Sequence, residues 1–477
     1  MTQINLRSRR AYAFWALCAI TTTSLPAQTF TSLWSFNGKD GANPFGTLVQ
    51  AANGRLYGTT IRLGFYGDGT AFKITTDGSL NNLHNFCTQE GCPDGAEPEG
   101  LVLAANGDLY GVTYFGGASH VGNFYQLTPT GGVTPLYSFC SQSACPQHPE
   151  AGLIQGTYGD FYGVTQSGGD FNGGFVYKIT PSGSLTTLYS FCSQKGCADG
   201  EVPVASLIQA VDGNFYGTTS SGGAYGHGTV FSISSGGLLT TIYSFCSQTA
   251  CTDGSDPVAA LVQSTDGSFY GTTYYGGTTN LGTVFRITPS GTFTTLHSFC
   301  SENSCTDGEG SWAQLIQATD GNFYGATYTG GDNGGGTIFD MSPDGALTTL
   351  YSFCAQASCA DGQTVYAGLV QDTDGSFYGT TYSGGNYGFG TVFRLSVGLA
   401  PFVTTLPGLG NPGSTIRILG TNLTGATGVT FNGASASFTV LGPTEITATV
   451  PAGATTGTVQ VVTPTGTLSS NVAFRVR

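Results

Sequence analysis

Residues 205–254 read "ASLIQAVDGNFYGTTSSGGAYGHGTVFSISSGGLLTTIYSFCSQTACTDG". The run "ASLIQAVDG" (205–213) is a short apolar segment ended by Asp-Gly, the strongest short-range hairpin signal. "NFYGTT" (214–219) is the returning strand. "SSGGAYGHG" (220–228) is a glycine-rich loop too long for a two-residue turn, "TVFSIS" (229–234) is a third strand, and "SGG" turns the chain into a fourth, "LLTTIYSF" (238–245). Four strands joined as a meander make one structural unit.

The unit recurs. The phrase "FYG" or "LYG" places Tyr57, Tyr110, Tyr162, Tyr216, Tyr270, Tyr324 and Tyr378 at spacings of 53, 52, 54, 54, 54 and 54 residues. A four-stranded unit of this length cannot bury both faces alone, so such units stack radially. Seven units predict an all-β fold with a seven-bladed β-propeller. A linear β-solenoid, the alternative, has shorter repeats and a capping segment, and neither is present in the sequence. A lone fourth-type strand, "TFTSLWSF" (29–36), precedes the first unit, and the seventh stops after its third strand, "GTVFRLS" (390–396). Residues 29–36 are therefore expected to complete the seventh blade and remove exposed sheet edges. The rival donor is "LAPFVTTL" (399–406).

Composition agrees with a turn-rich β protein. Glycine, 75 of 477 residues, has no Gly-X-Y period, and aromatic residues make up 12% against only 9% charged. So many aromatic and β-branched side chains can bury enough apolar area to offset chain entropy. The start, "MTQINLRSRRAYAFWALCAITTTSLPAQ", sets Arg7, Arg9 and Arg10 before an apolar stretch that ends near Ile20, with a small residue at Ala27. That is the layout of a signal peptide of residues 1–27, too short in its apolar part to span a membrane. Cys18 lies behind "WAL", a poor context for a lipoprotein cysteine. Removal of residues 1–27 takes away three basic residues and no acidic ones, leaving 11 against 28 and a net charge of −17. Such a chain repels phosphate backbones and anionic lipid, so nucleic acid is excluded as an expected partner.

Twelve cysteines remain after Cys18, as six C-x4-C pairs: Cys87 with Cys92, Cys140 with Cys145, Cys192 with Cys197, Cys246 with Cys251, Cys300 with Cys305, and Cys354 with Cys359. An even count in an exported chain, always paired locally, reads as a disulfide framework. Zinc, the competing reading, needs four ligands where each unit offers two, and no metal is expected. The first unit lacks the pair, with "FNGKDGANP" (36–44) in its place, and the third has "CPQHPE" (145–150) where most have Asp-Gly.

In a propeller the cysteine loops and the Gly-Gly loops emerge on one face, opposite the tight Asp-Gly turns. That rim is the expected binding face. Its candidates are Tyr114, Tyr274, Tyr275, Tyr328 and Tyr382 after the second strands, with Tyr225 and Tyr387 further on. Tyrosines beside small polar residues suit stacking on sugars or a protein partner; the alternative is that they pack against neighbouring loops. Asp94, Asp199, Asp253, Asp307 and Asp361, with Asp40 equivalent, recur before glycine at the ends of the cysteine loops. They read as turn residues, with a calcium-binding ring as the alternative. Of five histidines, His84, His120, His148, His227 and His297, the first and last simply replace the tyrosine of "LYSF". No Ser/His/Asp set, histidine metal pair or phosphate loop stands out, so no cofactor and no catalytic residue are expected. Paired carboxylates for glycoside hydrolysis leave little trace in sequence, and a carbohydrate-active enzyme is the runner-up reading.

From Pro401 the cysteines vanish. "GSTIRILGTNLTG", "VTFNG", "ITATVPAGATTGTVQVVTPTG" and the closing "FRV" resemble an IPT/TIG domain over 401–477, which implies an immunoglobulin-like β-sandwich used as a spacer or interaction module. Through "FYGTTxxGG", "GTVFxI" and "LxxLYSF", residues 33–396 resemble the bacterial choice-of-anchor tandem repeat GloVer-containing proteins. The resemblance implies export and variable surface anchoring, and no activity. The sequence ends at Arg477 with no hydrophobic tail or sorting signal, so the expectation is a secreted or cell-surface protein. The domain reading is a signal peptide at 1–27, a propeller at 28–398 and a sandwich at 399–477. The expected role is an exported, non-catalytic binding or scaffold protein for glycans or extracellular protein partners.

Overall fold

The computed structural model describes residues 28–140, 145–301 and 303–477; segment 1–27, with Cys18 and the expected signal peptide, lies outside them. Among the described residues, the repeats form seven antiparallel sheets, numbered 1 to 7 here in chain order. Sheet 4 shows the plan. Ile208–Gln209, Phe215–Thr219, Thr229–Ile233 and Leu239–Ser244 pair in sequence order, with Phe215 opposite Ile233 and Thr229 opposite Ser244.

Sheet 7 takes its fourth strand from the other end of the chain. Thr29–Ser35 pairs antiparallel with Thr391–Ser396, Thr29 opposite Ser396 and Ser35 opposite Thr391. The segment Thr404–Leu406 instead pairs with Thr415–Leu419 of the C-terminal domain.

The sheets join through their buried faces. From sheet 3 to sheet 7 the tyrosine of one "FYG" lies against the phenylalanine of the next: Tyr162 on Phe215, Tyr216 on Phe269, Tyr270 on Phe323 and Tyr324 on Phe377 have ring centroids 3.9–4.1 Å apart. The glycine after the tyrosine leaves room for an aromatic ring of the third strand. A Cβ on Gly217 would sit 2.7 Å from Phe231 Cζ. An apolar cluster fills each space between consecutive sheets, and one more joins Tyr378 and Val392 of sheet 7 to Leu48, Leu56, Phe72 and Ile74 of sheet 1. Gln side chains of the first strands add polar ties: Gln263 accepts from the Val211 N–H of sheet 4, and Gln50 of sheet 1 accepts from the Thr373 N–H of sheet 7.

Among the described residues, the C-terminal domain has two four-stranded sheets and a parallel pair, Leu409–Gly410 with Arg475–Val476. One four-stranded sheet is ordered Thr404–Leu406, Thr415–Leu419, Glu445–Thr449 and Phe438–Gly442, and the other contains Gly428–Phe431 and Val459–Thr463. Val459–Thr463 alternates buried and exposed, as the period of two requires, and Ile416, Ile418, Phe431, Val461 and Phe474 meet in the core. The domain rests on hairpin turns of the repeat sheets. Thr444 donates to the Ala52 carbonyl at 2.8 Å, Phe402 N–H to the Thr373 carbonyl at 3.1 Å, and Arg477 to the Thr157 carbonyl at 2.7 Å. No helix among the described residues is long and apolar enough to cross a membrane.

Candidate functional site

The six cysteine pairs are joined as disulfides, with Cα atoms 3.9–6.1 Å apart. Glu201 approaches Cys192 and Cys197, and His227 approaches Cys246 and Cys251; in the oxidised pairs the sulfur atoms are bonded to each other. In five of the six disulfide loops an aspartate is the organiser; the loop of Cys140 and Cys145 has none. Asp253, fully buried, accepts from Tyr243 Oη at 2.7 Å, from Ser247 N–H at 2.9 Å and from Gln248 N–H at 3.3 Å. Asp199 and Asp361 repeat the arrangement with Tyr189 and Tyr351. His84 and His297 stand in for the tyrosine, each 2.9 Å from Asp94 or Asp307. In the loop without a disulfide, Trp34 Nε1 donates to Asp40 at 2.9 Å. The donors that meet these carboxylates come from within their own loops and the strands that lead into them, as a turn role requires, while Asp94 Oδ1 and Asp307 Oδ1 stay buried without a partner among the described residues.

The rim tyrosines divide. Tyr225 and Tyr387 are 54% and 61% exposed on the Gly-Gly loops, and Tyr275 is 44% exposed. Tyr274, Tyr328 and Tyr382 turn inward and meet residues that the sequence reading missed, Trp312 and Tyr366. Trp312 is 5.5 Å from both Tyr274 and Tyr366, and Tyr366 is 5.1 Å from Tyr328, 4.9 Å from Tyr382 and 5.2 Å from Phe45. Tyr114 stands elsewhere, donating to Gln166 Oε1 at 2.9 Å beside His148.

Trp312, Tyr366 and Phe45 belong to a sevenfold column. Phe45, Glu99, Glu150, Val204, Val258, Trp312 and Tyr366 occupy equivalent places in sheets 1 to 7, four residues ahead of the first strand or, for Glu99, within it, and all line one cavity of about 270 Å³. Two positions earlier lie Asn43, Glu97, His148, Val202, Asp256, Gly310 and Thr364, all with φ between 53° and 64°. Left-handed backbone is costly for side chains such as valine and threonine. Each of these residues donates its N–H to a carbonyl in the loop of the preceding sheet, from Glu97 to Asp68 through to Asn43 to Phe389, at 2.8–3.1 Å. That bond holds the kink, which brings the next residues to the cavity. Gly46 and Gly100 follow in the column, and a Cβ on Gly46 would lie 2.6 Å from Gly100 Cα, so two of the strands nearly touch there.

The column is chemically uneven. Aromatic side chains come from the adjacent sheets 6, 7 and 1, carboxyls from sheets 2 and 3, and valines from sheets 4 and 5. Glu99 is only 5% exposed, and both Glu99 Oε2 and Glu150 Oε2 are buried without a hydrogen-bond partner. Burial pushes the Glu150 carboxyl up from 4.5 to about 7. Burial, then the neighbouring charges of Glu150 and Glu97, pushes Glu99 well above the carboxylate range. Among the described residues no lysine or arginine lines the cavity; Arg62 pairs at 2.9 Å with Glu97 instead.

Fold and site define a class: a tandem-repeat, all-β protein whose variable residues converge on one cavity, followed by a small sandwich domain. The chain belongs to the Gloeobacter/Verrucomicrobia repeat family, whose model matches residues 18–154, 146–305 and 203–437, and it carries an IPT/TIG domain at 402–476. No curated protein matches it. Among solved structures it is similar to the extracellular domain of a hybrid two-component system of B. thetaiotaomicron, at 13% identity over 77% of this chain and TM-score 0.49. The aligned part is 39% of that protein's chain. It is also similar to a protein described as a 6-phosphogluconolactonase from Bacteroides uniformis, at 16% identity over 64% of this chain and 83% of the other, TM-score 0.41. A third, a protein of unknown function from Bacteroides thetaiotaomicron, aligns at 12% identity over 78% and 76%, TM-score 0.41. None of the three carries a function to this chain.

Proposed function

We propose that the seven sheets form a closed seven-bladed β-propeller, exported from the cell, that works as a non-catalytic binding module for glycans through the cavity and its aromatic mouth. The observation that carries the reading is the column itself. Seven near-identical units keep their core residues and differ where one side chain from each reaches a common cavity. Closure is supported by the pairing of Thr29–Ser35 with Thr391–Ser396 and by the apolar cluster between sheets 7 and 1. With the C-terminal domain seated on the hairpin turns, the opposite face, which carries the cysteine loops, is left for ligand. Aromatic side chains in an arc suit the apolar faces of sugar rings.

The test is retention on a glycan array by the mature chain, with a Tyr274→Ala, Tyr328→Ala double variant beside it. Sugars retained by the parent and released by the variant are the expected result; no retained sugar by the parent discards the reading. A carbohydrate-active enzyme is the second reading, favoured by the adjacent Glu99 and Glu150, since a carboxyl raised to about 7 fits a general acid. Cleavage of any member of a glycoside panel, lost in Glu150→Gln, would establish it instead.

A further inference from the structure

We infer that the cavity selects a ligand bearing a primary ammonium group, held between Glu99 and Glu150, with the ligand's apolar face against Trp312 and Tyr366. The inference rests on the binding reading above and names the class of ligand that site takes.

Two buried carboxyl groups on neighbouring sheets are an unstable arrangement alone. Each ionised group needs a cation or donors, yet among the described residues no lysine or arginine lines the cavity. Glu99 is itself 5% exposed, and its Oε2 has no partner. The Glu150 Oε2 atom is likewise buried and unpartnered. Once ionised, these oxygens are met best by N–H donors carrying positive charge, which a primary ammonium supplies, whereas an acetamide or a sugar hydroxyl offers only a neutral donor.

The remaining walls argue against a metal ion. Calcium takes six to eight oxygen ligands, whereas the cavity column offers aromatic rings on one side and Val204 and Val258 on another. Aromatic faces attract an ammonium group and also accept the apolar face of a sugar ring. A cavity of about 270 Å³ has room for a small ligand only. An amino sugar meets both demands, and an alkyl diamine meets the first.

The test is calorimetric titration of the full mature chain at pH 7 with glucosamine, N-acetylglucosamine, glucose, cadaverine and calcium chloride. Glucosamine is expected to bind at least tenfold more tightly than its acetylated form or glucose. The loss should be at least tenfold in Glu99→Gln, Glu150→Gln, which keeps the shape of both side chains, and also in Trp312→Ala, with thermal unfolding showing that each variant is folded. Cadaverine binding as tightly as glucosamine would retain the ammonium and assign it to an amine without a sugar ring. Equal affinity for glucosamine and N-acetylglucosamine, or no effect of the double Gln variant, overturns the inference and leaves the glycan reading standing. Calcium binding that the double variant abolishes, with no amine bound, assigns the pair to a metal and overturns it too. If no ligand of any kind binds here and none is retained on the array, the binding reading itself falls.

Discussion

Tyr216 of sheet 4 and Phe269 of sheet 5 lie with their ring centroids 4.1 Å apart, and the same pair recurs between successive sheets. The hydroxyl of Tyr216 reaches Asp212 in its own hairpin turn at 2.9 Å; burial, then that bond, raises the phenol to about 12. One residue thus ties its own turn to the next sheet.

Truncating this contact should be costly. Phe269 is fully buried, and Phe269→Ala is expected to destabilise by about 3–5 kcal/mol through lost burial and the cavity left behind. Phe269→Leu should cost less, because Leu109 and Leu56 hold the corresponding place in sheets 2 and 1. Denaturant unfolding of both variants checks the order; equal loss in the two would contradict it.

The cysteine loops should depend more on their aspartates than on their disulfides. A bridge across so short a loop adds little chain-entropy stabilisation, while Asp253 serves four donors in a buried place, Tyr243 Oη, the Ser247 N–H and hydroxyl, and the Gln248 N–H. Asp253→Ala is expected to cost about 2–4 kcal/mol and Cys246→Ser, Cys251→Ser less. Thermal unfolding compares them, and a larger drop in the cysteine variant would refute the assignment.

Ligand-free protein should lose stability as pH rises from about 5 to 8. Glu150 has a folded pKa above its ordinary 4.5, near 7. Across this range the folded state therefore holds more protons than the unfolded state, and the stability slope with pH is negative. Asp372, 2% exposed beside the sandwich domain and also raised to about 7, chiefly by burial, has the same sign. The Glu150 contribution is roughly 1–3 kcal/mol at full ionisation. Melting temperatures of Glu150→Gln should fall less between pH 5 and 8 than those of the parent; an identical fall would remove Glu150 as the cause.

Much of the architecture was legible because it is periodic. The Asp-Gly turns, the "FYG" strands and the Gly-Gly loops mark a four-stranded unit, and the repeat and TIG resemblances match the family models. The role of Asp199 and its equivalents is legible only in part: Asp-Gly looks like any turn, and the donors that gather on the carboxylate come from five to ten residues away. The cavity was legible only in part. Tyr274, Tyr328 and Tyr382 stand out as aromatic loop residues, but Glu99, Glu150 and Trp312 occur in unlike local phrases, "EPEG", "HPEAG" and "GSWAQ". Aligning the seven units puts them in one column whose chemistry changes from copy to copy within an otherwise uniform repeat. That variation was the available signal. Which sheets are neighbours across the cavity follows from packing between sheets, which no single unit encodes.

The central claim is that the first described strand and the last repeat strand shut one ring around one cavity. A Thr29→Cys, Ser396→Cys variant tests it directly, since these residues face each other at the end of the pairing. Oxidation followed by peptide mapping should give a monomer in which the segments around positions 29 and 396 are linked. Free thiols at both positions, or linkage only between separate chains, would contradict the account.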